Sequence, residues 1–475
     1  MKKSKPNPKA NRNILIFSYG VVILFLCMAG YFGYFMQVQR EDVINNSYNA
    51  RLDRFAEKIV RGKILSDDGT ILAETIVGED GKETRNYPYG TTFAHAVGYS
   101  TMGKTGIESF ANYHLLTSHE NSIRQVINEL SGKKSVGDNV VTTLNMELQT
   151  VASEALGDRR GAVVAMEPET GKILAMVSKP AYDPNHLANQ WEELVHGDEK
   201  EAILLNRATQ GLYPPGSTYK IITALQYMRE HPGKYDAYRF SCDGIYEYES
   251  LKIRCYHQTA HGEESFSQAF ADSCNGAFAA LGLEIDLNGL KSLSEQLLFN
   301  QEQPLAFPYS KSIYQMKEDP EDWEVFQTVI GQGETLMTPM HNLMLTSAIA
   351  NGGVLMKPYV IDRVESASGE TVKKFMPVSH GELMVANEAK ALKALMEQVV
   401  TEGTGSALRT EDYLAAGKTG SAEFETGKET HAWFVGYAPA DDPKIAVCVL
   451  VEEGGSGGQI AAPIARKMFD TYLLP

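Results

Sequence analysis

The first feature of the chain is a long segment in which apolar positions are not interrupted by charge. No charged residue occurs between Asn13 and Gln39, and Ile14 to Met36 form an apolar run of 23 residues. As a helix, this run would be roughly 35 Å long, which is enough to cross a bilayer. Because the run is longer than the apolar part of a cleaved signal peptide, we expect an uncleaved transmembrane helix at 14–36.

The charges beside this run predict its orientation. Residues 1–13 contain no acidic residue and five basic ones, which are Lys2, Lys3, Lys5, Lys9 and Arg12. Basic flanks remain on the cytoplasmic side of a membrane. We therefore expect a cytoplasmic tail at 1–13, a single pass through the cell membrane, and an extracytoplasmic location for everything that follows.

Residues 37–138 are mixed and polar, and their periodicity is weak. The stretch RGKILSDDGTILAET (61–75) alternates on either side of an Asp-Asp-Gly turn, which predicts a β-hairpin. The stretch GIESFANYHLL (106–116) predicts a short helix. These signals indicate a small β-rich domain between the membrane and the rest of the chain.

Residues 139–475 show a sharper pattern, with strands at both ends and helices between them. NVVTTL and GAVVAMEPETGKILAMVS (161–178) predict early strands, and AAGKTGSAEF (415–424), HAWFVGYAP (431–439) and KIAVCVLVEE (444–453) predict late ones. Helical patterns dominate from Ser217 to about residue 350, and a last helix closes the chain. We therefore predict an α+β fold, with an antiparallel sheet closed by sequence-distant strands, flanking helices and an inserted all-helical lobe.

Composition and charge narrow the class of protein. The chain has 475 residues, of which 43% are hydrophobic and 22% charged, as in globular proteins. The formal net charge of −16 argues against nucleic acid as the main partner.

The cysteines are too few for a disulfide framework: Cys27, Cys242, Cys255, Cys274 and Cys448. Cys242 and Cys255 flank DGIYEYESLKIR, a predicted hairpin, and outside the membrane such a pair could form a disulfide. A zinc set of Cys242, Cys255, His257 and His261 is the alternative, but its spacing is loose. We expect a disulfide or a close thiol pair, and no metal.

Three short motifs follow one another in the second region: Ser217-Thr-Tyr-Lys220, Ser273-Cys-Asn275 and Lys418-Thr-Gly420. Sets of this kind mark penicillin-binding proteins and class A β-lactamases. Each motif alone also occurs by chance, as at Ser47 to Asn49, Lys104 to Gly106 and Ser131 to Lys134, but these copies run in a different order. Singly, the three motifs are better explained as a helix cap, a polar pair at a helix edge and a turn. Together and in order, they favour a catalytic site.

The first motif has the spacing that a serine nucleophile and its base require. Positions i and i+3 lie on one helix face, so the Lys220 amine can reach the Ser217 hydroxyl. A serine hydroxyl is a weak nucleophile until a base takes its proton, and a lysine does so only when burial or a nearby cation lowers its pKa. Lys418 is the candidate cation.

The other two motifs supply groups that a peptide substrate would need. The Ser273 hydroxyl could relay a proton to a leaving amine, and the Asn275 amide could bind the substrate backbone. Lys418 and Thr419 offer a charge and a hydroxyl to a carboxylate. Gly420 lacks a side chain, so a substrate strand could pair with this strand's edge. The backbone N–H groups of Ser217 and Ser421 would form the oxyanion hole.

A rival motif is the stretch GYSTMGKT, Gly98 to Thr105, which fits the phosphate-binding P-loop pattern. It would make the chain a nucleotide-binding protein. The segment lies beyond the membrane anchor, where ATP is scarce, and no clear apolar strand ending in a second acidic motif accompanies it. We expect no nucleotide.

Beyond these motifs, the chain resembles the class B penicillin-binding proteins, in particular the short penicillin-binding protein A-like form. The resemblance rests on RGKILSDDGTILAE and GYSTMGKTGIESFANYHL in the N-terminal part, and on GAVVAMEPETGKILAMVSKPAYDPN, GQGETLMTP, AAGKTGSAE and HAWFVGYAP after it. It implies a pedestal, or dimerisation-like, domain at 37–138 and a transpeptidase domain at 139–475. It leaves no room for a glycosyltransferase domain between the anchor and the catalytic domain.

The resemblance also implies an activity. A peptidoglycan D,D-transpeptidase cross-links stem peptides that end in D-Ala-D-Ala, through an acyl-serine, and β-lactams acylate the same serine. By motif, Ser217 is the nucleophile, Lys220 the base and Ser273 the relay, while Asn275, Lys418 and Thr419 bind substrate. No cofactor is implied, and the expected protein partner is a membrane-embedded glycan polymerase.

Two alternatives stay open at this point. A D,D-carboxypeptidase or β-lactamase of the same fold would use water instead of an amine as the acceptor. A scaffold or β-lactam sensor of the cell-wall machinery would need no turnover. The intact motifs weaken the idle scaffold but not the sensor.

Overall fold

The computed structural model describes residues 8–35, 57–121, 127–128, 130–197, 201–425 and 427–474. Helix α1 (Pro8–Tyr34) contains the apolar run, and its segment Arg12–Tyr34 has a mean hydropathy of 2.3. By length and composition, this helix can cross a membrane, consistent with a single-pass protein. Part of the predicted tail, Met36 and the predicted pedestal as far as residue 56 lie outside the described residues.

The N-terminal region contains short strands and short helices. The predicted hairpin forms from β2 and β3, and the helix predicted over 106–116 is divided into two at Ala111. The elements are β1 (Ile59–Val60), β2 (Ile64–Leu65), β3 (Ile71–Val77), β4 (Glu83–Asn86), α2 (Ala94–Val97), α3 (Gly106–Phe110), α4 (Asn112–Leu115), β5 (Ser135–Val136) and β6 (Asn139–Thr142).

A buried carboxylate joins the two motif stretches of this region. Glu108 in α3 is fully buried and accepts hydrogen bonds from Arg61 Nε at 2.6 Å and from Arg85 Nε at 2.7 Å. A buried charge must be paired to be tolerated, so the two arginines and Glu108 depend on one another. Arg61 belongs to the RGKIL stretch and Arg85 to β4, so this network ties the hairpin to the helices.

The glycines of the P-loop-like stretch serve this packing. A Cβ atom on Gly98 would lie 2.0 Å from the Thr105 carbonyl oxygen, and one on Gly106 would lie 2.7 Å from that of Ala96. The segment before Gly98 is helix α2, whereas a P-loop follows a strand. The spacing of glycines therefore reflects close backbone contacts in the N-terminal region.

A six-stranded sheet connects the N-terminal region with the rest of the chain. Its strand order is β15–β14–β6–β2–β3–β4, where β14 is Ile361–Glu365 and β15 is Thr371–Lys374. Strands β2 and β6 are parallel, and the other neighbours are antiparallel. Three of the six strands come from residues after 138, so the sheet crosses the predicted domain boundary. The boundary itself stays a prediction.

The second sheet is the predicted antiparallel sheet closed by sequence-distant strands. It has the order β17–β18–β19–β7–β8, formed by β7 (Gly161–Met166), β8 (Ile173–Lys179), β17 (Ala416–Ala422), β18 (His431–Ala438) and β19 (Ile445–Val451). All its pairings are antiparallel, and its central strands are buried on both faces. Burial on both faces explains why these segments are continuous apolar runs. Strand β17 lies at the edge of the sheet.

Helices cover both faces of this sheet and form the lobe beside it. The fully buried helix α12 (Pro339–Ala350) packs on one face, and α5 (Met146–Leu156) and α14 (Ala462–Leu473) pack on the other. The other α-helices and strands of the described residues are α6 (Leu187–His196), α7 (Lys220–Glu230), β9 (Arg239–Cys242), β10 (Ile245–Tyr248), β11 (Leu251–Arg254), β12 (Gly262–Ser265), α8 (Phe266–Ala271), α9 (Asn275–Gly282), α10 (Leu287–Gln296), α11 (Asp322–Val329), β13 (Val354–Met356), β16 (Ser379–Glu382) and α13 (Ala386–Thr401). The predicted α+β fold is confirmed, but the inserted lobe is not all-helical, because strands β9 to β12 form two small sheets within it.

Candidate active site

Ser217 lies in a tight turn that leads directly into a buried helix. The 3-10 helix Gly216–Tyr219 carries it, and α7 begins at Lys220. Gly216 has a positive φ of 52°, and a Cβ atom there would lie 2.8 Å from the Cβ of Ala422 in β17. Only glycine fits this conformation and this contact. The turn is therefore pressed against the edge strand, with the half-buried Ser217 facing a cleft.

Lys220 is completely buried and bonds to the second motif. Its Nζ donates to the Ser273 carbonyl oxygen at 2.6 Å and to Asn275 Oδ1 at 2.7 Å, and Ser273 Oγ is 3.4 Å away. Within the described residues, no hydrogen bond joins Lys220 Nζ to Ser217 Oγ. The two strong acceptors of the second motif hold the amine.

Ser273 and Asn275 lie between two helices, whereas the sequence predicted the edge of one continuous helix. Helix α8 ends at Ala271 and α9 begins at Asn275, and Ser273 has a positive φ of 59°. This backbone is uncommon for a residue with a side chain. It directs the Ser273 carbonyl oxygen towards Lys220 and its hydroxyl towards Lys418, whose Nζ donates to Ser273 Oγ at 2.8 Å.

The third motif lies on the edge strand β17. Lys418 is completely buried, and its Nζ also donates to the Thr419 carbonyl oxygen at 3.1 Å. A Cβ atom on Gly420 would lie 3.2 Å from both the Pro215 carbonyl oxygen and Thr218 Cγ2. The absence of a side chain at Gly420 therefore lets the strand approach the Ser217 turn closely.

The three motifs meet at one cleft of about 1070 Å³. Its wall includes six of the eight predicted site residues: Ser217, Ser273, Asn275, Thr419, Gly420 and Ser421. The other two, Lys220 and Lys418, are buried behind this wall. The competing motif copies at 104–106 and 131–134 lie in the N-terminal region, and the copy at 47–49 lies outside the described residues.

Burial controls the charge of both lysines. Desolvation lowers the pKa of Lys220 to about 8, although nearby acidic groups oppose this shift. Desolvation, followed by the charge of Lys220, lowers the pKa of Lys418 well below its ordinary value. Lys418 was predicted only as a cation, but burial disfavours charge on both amines. A carboxylate entering the cleft would raise the pKa of Lys418 again.

Sequence reasoning missed two groups in this cleft. Thr404 Oγ1 lies 2.6 Å from Thr419 Oγ1, and the Arg254 carbonyl oxygen accepts from Asn275 Nδ2 at 2.9 Å. Thr404 stands between two glycines in the loop after α13, and this was its one signal in the sequence. Arg254 contributes only its backbone carbonyl oxygen, so its side-chain identity gave no signal in the sequence.

The cysteines form a cluster directly behind the second motif. The Sγ atoms of Cys242 and Cys255 are 3.7 Å apart, and those of Cys255 and Cys274 are 3.8 Å apart. His261 Nδ1 lies 3.3 Å from Cys242 Sγ, and all four donor atoms lie within 4.8 Å of one another. His257 of the alternative zinc set is exposed and is replaced in this cluster by Cys274.

These spacings are compatible with a shared metal ion. A disulfide has its sulfurs about 2.05 Å apart. Zinc bound tetrahedrally at about 2.3 Å from each thiolate places two sulfurs about 3.8 Å apart, close to both separations in the cluster. Three thiolates and one imidazole are a typical structural zinc set. Cys242, Cys255, His261 and Cys274 could thus hold zinc, which would fix the loop that carries Ser273 and Asn275. The disulfide stays a prediction and would exclude this ion.

The fold thus brings the Ser217 hydroxyl, the Ser273 hydroxyl and two buried lysine amines together at one cleft. The penicillin-binding protein transpeptidase domain matches residues 161–470, and the penicillin-binding protein A dimerisation domain matches residues 61–140. The chain therefore belongs to the penicillin-binding protein transpeptidase family, and the predicted resemblance is confirmed.

Individual relatives agree with this assignment. The peptidoglycan D,D-transpeptidase PbpA of Mycolicibacterium smegmatis is 33% identical over 446 residues, covering 87% of this chain and 89% of the relative. The imipenem acyl-enzyme complex of penicillin-binding protein A from M. tuberculosis has a TM-score of 0.80 at 29% identity, covering 89% of this chain and 100% of that one. The D,D-transpeptidase domain from Eggerthella lenta has a TM-score of 0.78 at 31% identity, covering 88% and 98%.

The cysteine cluster makes a prediction about metal content. If the cluster holds zinc, full-length protein purified without chelator should contain about one zinc per chain, because four donor atoms lie within 4.8 Å of one another and the three thiols are buried. Cys274→Ser should lower the zinc content, whereas Cys27→Ser in helix α1 should not. Elemental analysis measures the metal, and thiol alkylation before and after chelation measures its protection of the cysteines. A metal-free protein with Cys242 and Cys255 joined in one peptide by mass spectrometry would contradict the zinc interpretation.

Proposed function

We propose that this chain is a peptidoglycan D,D-transpeptidase that forms its acyl intermediate on Ser217. The observation that carries the proposal is the convergence of two buried lysine amines on Ser273 behind a cleft that Ser217 faces. Membership of the transpeptidase family supports the reaction class. The acyl-enzyme complex of a relative with the same fold supports a covalent serine intermediate and β-lactams as inhibitors.

Acylation begins when the Ser217 hydroxyl attacks the carbonyl carbon of the penultimate D-Ala. Neutral Lys220 has two N–H groups, which its two close acceptors, the Ser273 carbonyl oxygen and Asn275 Oδ1, can occupy. The lone pair of the amine is then free to take the Ser217 proton. The oxyanion is stabilised by the N–H groups of Ser217 and Ser421.

The tetrahedral intermediate then collapses to an ester. The C–N bond to the terminal D-Ala breaks, and the leaving amine takes a proton that Ser273 relays from the Lys220 ammonium. Ser273 Oγ is placed for this relay because it lies 3.4 Å from Lys220 Nζ and 2.8 Å from Lys418 Nζ. In the second half of the cycle, an amine of a neighbouring stem peptide attacks the ester and releases Ser217.

Substrate binding uses the remaining site residues. Thr419 contacts the terminal carboxylate from the cleft wall, and Lys418 behind it contributes positive charge. The negative charge of the carboxylate offsets the burial that otherwise disfavours the Lys418 ammonium. The Asn275 amide contacts the stem-peptide backbone. Strand β17 offers its free edge to the extended peptide, and Gly420 keeps that edge close to Ser217.

The arrangement at the membrane follows from the same proposal. The basic residues before the apolar run favour a cytoplasmic N-terminus, so the catalytic region faces the extracytoplasmic side, where peptidoglycan is assembled. Residues 37–138 act as the pedestal, and a membrane-embedded glycan polymerase is the expected partner, by family resemblance. Peptidoglycan strands with unlinked D-Ala-D-Ala stems are the substrate.

Product analysis on polymerised, uncross-linked peptidoglycan strands tests the reaction. The wild-type protein should release D-Ala and form dimeric cross-linked stem peptides in matched amounts. Ser217→Ala should do neither, because it lacks the nucleophile. Release of D-Ala without cross-links would identify a carboxypeptidase. Binding of a fluorescent penicillin with no product from peptidoglycan would identify a sensor.

The two lysines should respond differently to arginine. Lys220→Arg keeps a charge but removes the titratable base, so acylation by a fluorescent penicillin should fall by about 10²- to 10⁴-fold, as in Lys220→Ala. Lys418→Arg keeps the positive charge that a carboxylate needs, so it should retain more activity than Lys418→Ala. Wild-type acylation by Lys220→Arg would show that the base is another group.

The same assay predicts the pH profile. The lowered pKa of Lys220, about 8, means that the neutral amine dominates above this pH and the ammonium below it. The ammonium has no lone pair, so the acylation rate should rise with pH through about 8 and be lost as the pH falls. A profile that is flat from pH 6 to pH 10 would contradict the assignment of Lys220 as the base.

A further inference from the structure

Thr404 lies where the second and third motifs come together. It belongs to the loop that follows α13, and the backbone of this loop packs directly on the end of α8. A Cβ atom on Gly403 would lie 2.1 Å from the Ala271 carbonyl oxygen, and the Thr404 N–H donates to that oxygen at 3.1 Å. Ala271 is two residues before Ser273, so Thr404 is held in register with the Ser273 loop.

The Thr404 side chain faces the third motif. Its Oγ1 lies 2.6 Å from Thr419 Oγ1, and it can also donate to the Ala271 carbonyl oxygen at 3.3 Å. Thr404 lines the cleft beside Thr419. The two hydroxyls can therefore be ordered in two ways. Either Thr419 donates to Thr404, which donates to Ala271, or Thr404 donates to Thr419, whose own hydrogen is free.

A bound carboxylate selects one of these orders. A carboxylate only accepts hydrogen bonds, so Thr419 can serve it only when the Thr419 hydrogen points into the cleft. In that state, Thr419 Oγ1 can still accept a bond, and Thr404 is the hydroxyl at bonding distance. A hydroxyl that accepts one hydrogen bond becomes a stronger donor in the next.

We propose that Thr404 is a positioning residue that directs the Thr419 hydroxyl at the substrate carboxylate. When a stem peptide or a β-lactam binds, Thr404 turns its hydrogen from the Ala271 carbonyl oxygen to Thr419 Oγ1, and the Thr419 hydrogen turns to the carboxylate. No covalent bond changes in this step. The inference rests on the proposed role of Thr419 in carboxylate binding.

A double-mutant cycle on the full-length protein tests this coupling. The four proteins are the wild type, Thr404→Val, Thr419→Val and the double variant, and the measurement is the second-order acylation rate by a fluorescent penicillin. Thr404→Val should lower the rate about tenfold, which is the loss expected for one hydrogen bond to a charge-binding group. In the Thr419→Val background, the same change should alter the rate less than about twofold.

Two further measurements separate positioning from a general structural role. Thr404→Ser keeps the hydroxyl and should restore most of the wild-type rate. The methyl ester of the same penicillin lacks the carboxylate, so Thr404→Val and the wild type should react with it at similar rates. If Thr404→Val reduces thermal stability, Thr404→Ala supplies the hydroxyl deletion without a branched side chain against Ala271.

The outcomes are distinguishable. The inference would be overturned if Thr404→Val lowered the acylation rate equally in the wild-type and Thr419→Val backgrounds. It would also be overturned if Thr404→Val lowered the rate equally with the penicillin and with its methyl ester. If Thr404→Val were acylated at the wild-type rate while Thr419→Val were acylated slowly, the inference would be overturned and the proposed function would stand. A normal rate in Thr419→Val would overturn the carboxylate role of Thr419 itself, and with it the inference.

Discussion

The amines of Lys220 and Lys418 are buried on either side of the Ser273 hydroxyl, and the architecture of the site depends on this arrangement. Lys220 and Lys418 both have completely buried side chains, and both reach Ser273. Removing an ammonium from water is expensive unless acceptors replace the solvent, and two neighbouring ammonium groups also repel each other. The structure supplies oxygen acceptors to each amine, and burial lowers both pKa values, that of Lys220 to about 8.

The scaffold around the lysines serves to bring these acceptors together. The chain breaks between α8 and α9 so that the Ser273 carbonyl oxygen and the Asn275 side chain both face Lys220. The edge strand β17 is pressed against the Ser217 turn, and this contact is possible because Gly216 and Gly420 lack side chains. The fully buried helix α12 and the apolar cores on both faces of the five-stranded sheet hold the strand that carries Lys418 in place. Catalytic geometry is thus set by backbone packing of rigid elements, with few side chains left free to move.

Much of this could be predicted from local sequence patterns. The strands of the five-stranded sheet are buried on both faces, so their apolar runs are unmistakable, and turn signals separate them. The order of the three motifs predicted that these distant segments come together, and the fold places six of the eight predicted residues in the wall of one cleft, with Lys220 and Lys418 buried behind it. The P-loop-like stretch from Gly98 to Thr105 was not interpreted as a nucleotide site, because it lies beyond the predicted membrane helix and no second acidic motif accompanies it. The structure shows close backbone contacts at Gly98.

The remaining features depend on contacts between distant segments. The positive φ of Ser273 replaces a predicted helix edge, because its carbonyl must turn towards Lys220. The sequence assigns no partner to Cys274, yet the fold places its sulfur beside that of Cys255, which follows a separate hairpin. The lowered pKa of Lys418 follows from complete burial, which no local pattern reveals. Thr404 could not be singled out from the sequence, because its contact is with Thr419, which lies 15 residues later on another element.

The central claim is that Ser217 is the acylated nucleophile, and mapping the penicillin adduct tests it most directly. Intact-mass analysis of the full-length protein after incubation with penicillin should show one added acyl group. Peptide mapping should place that group on Ser217, in the peptide that contains Pro214 and Pro215. An adduct on another serine, or one that persists in Ser217→Ala, would contradict the account.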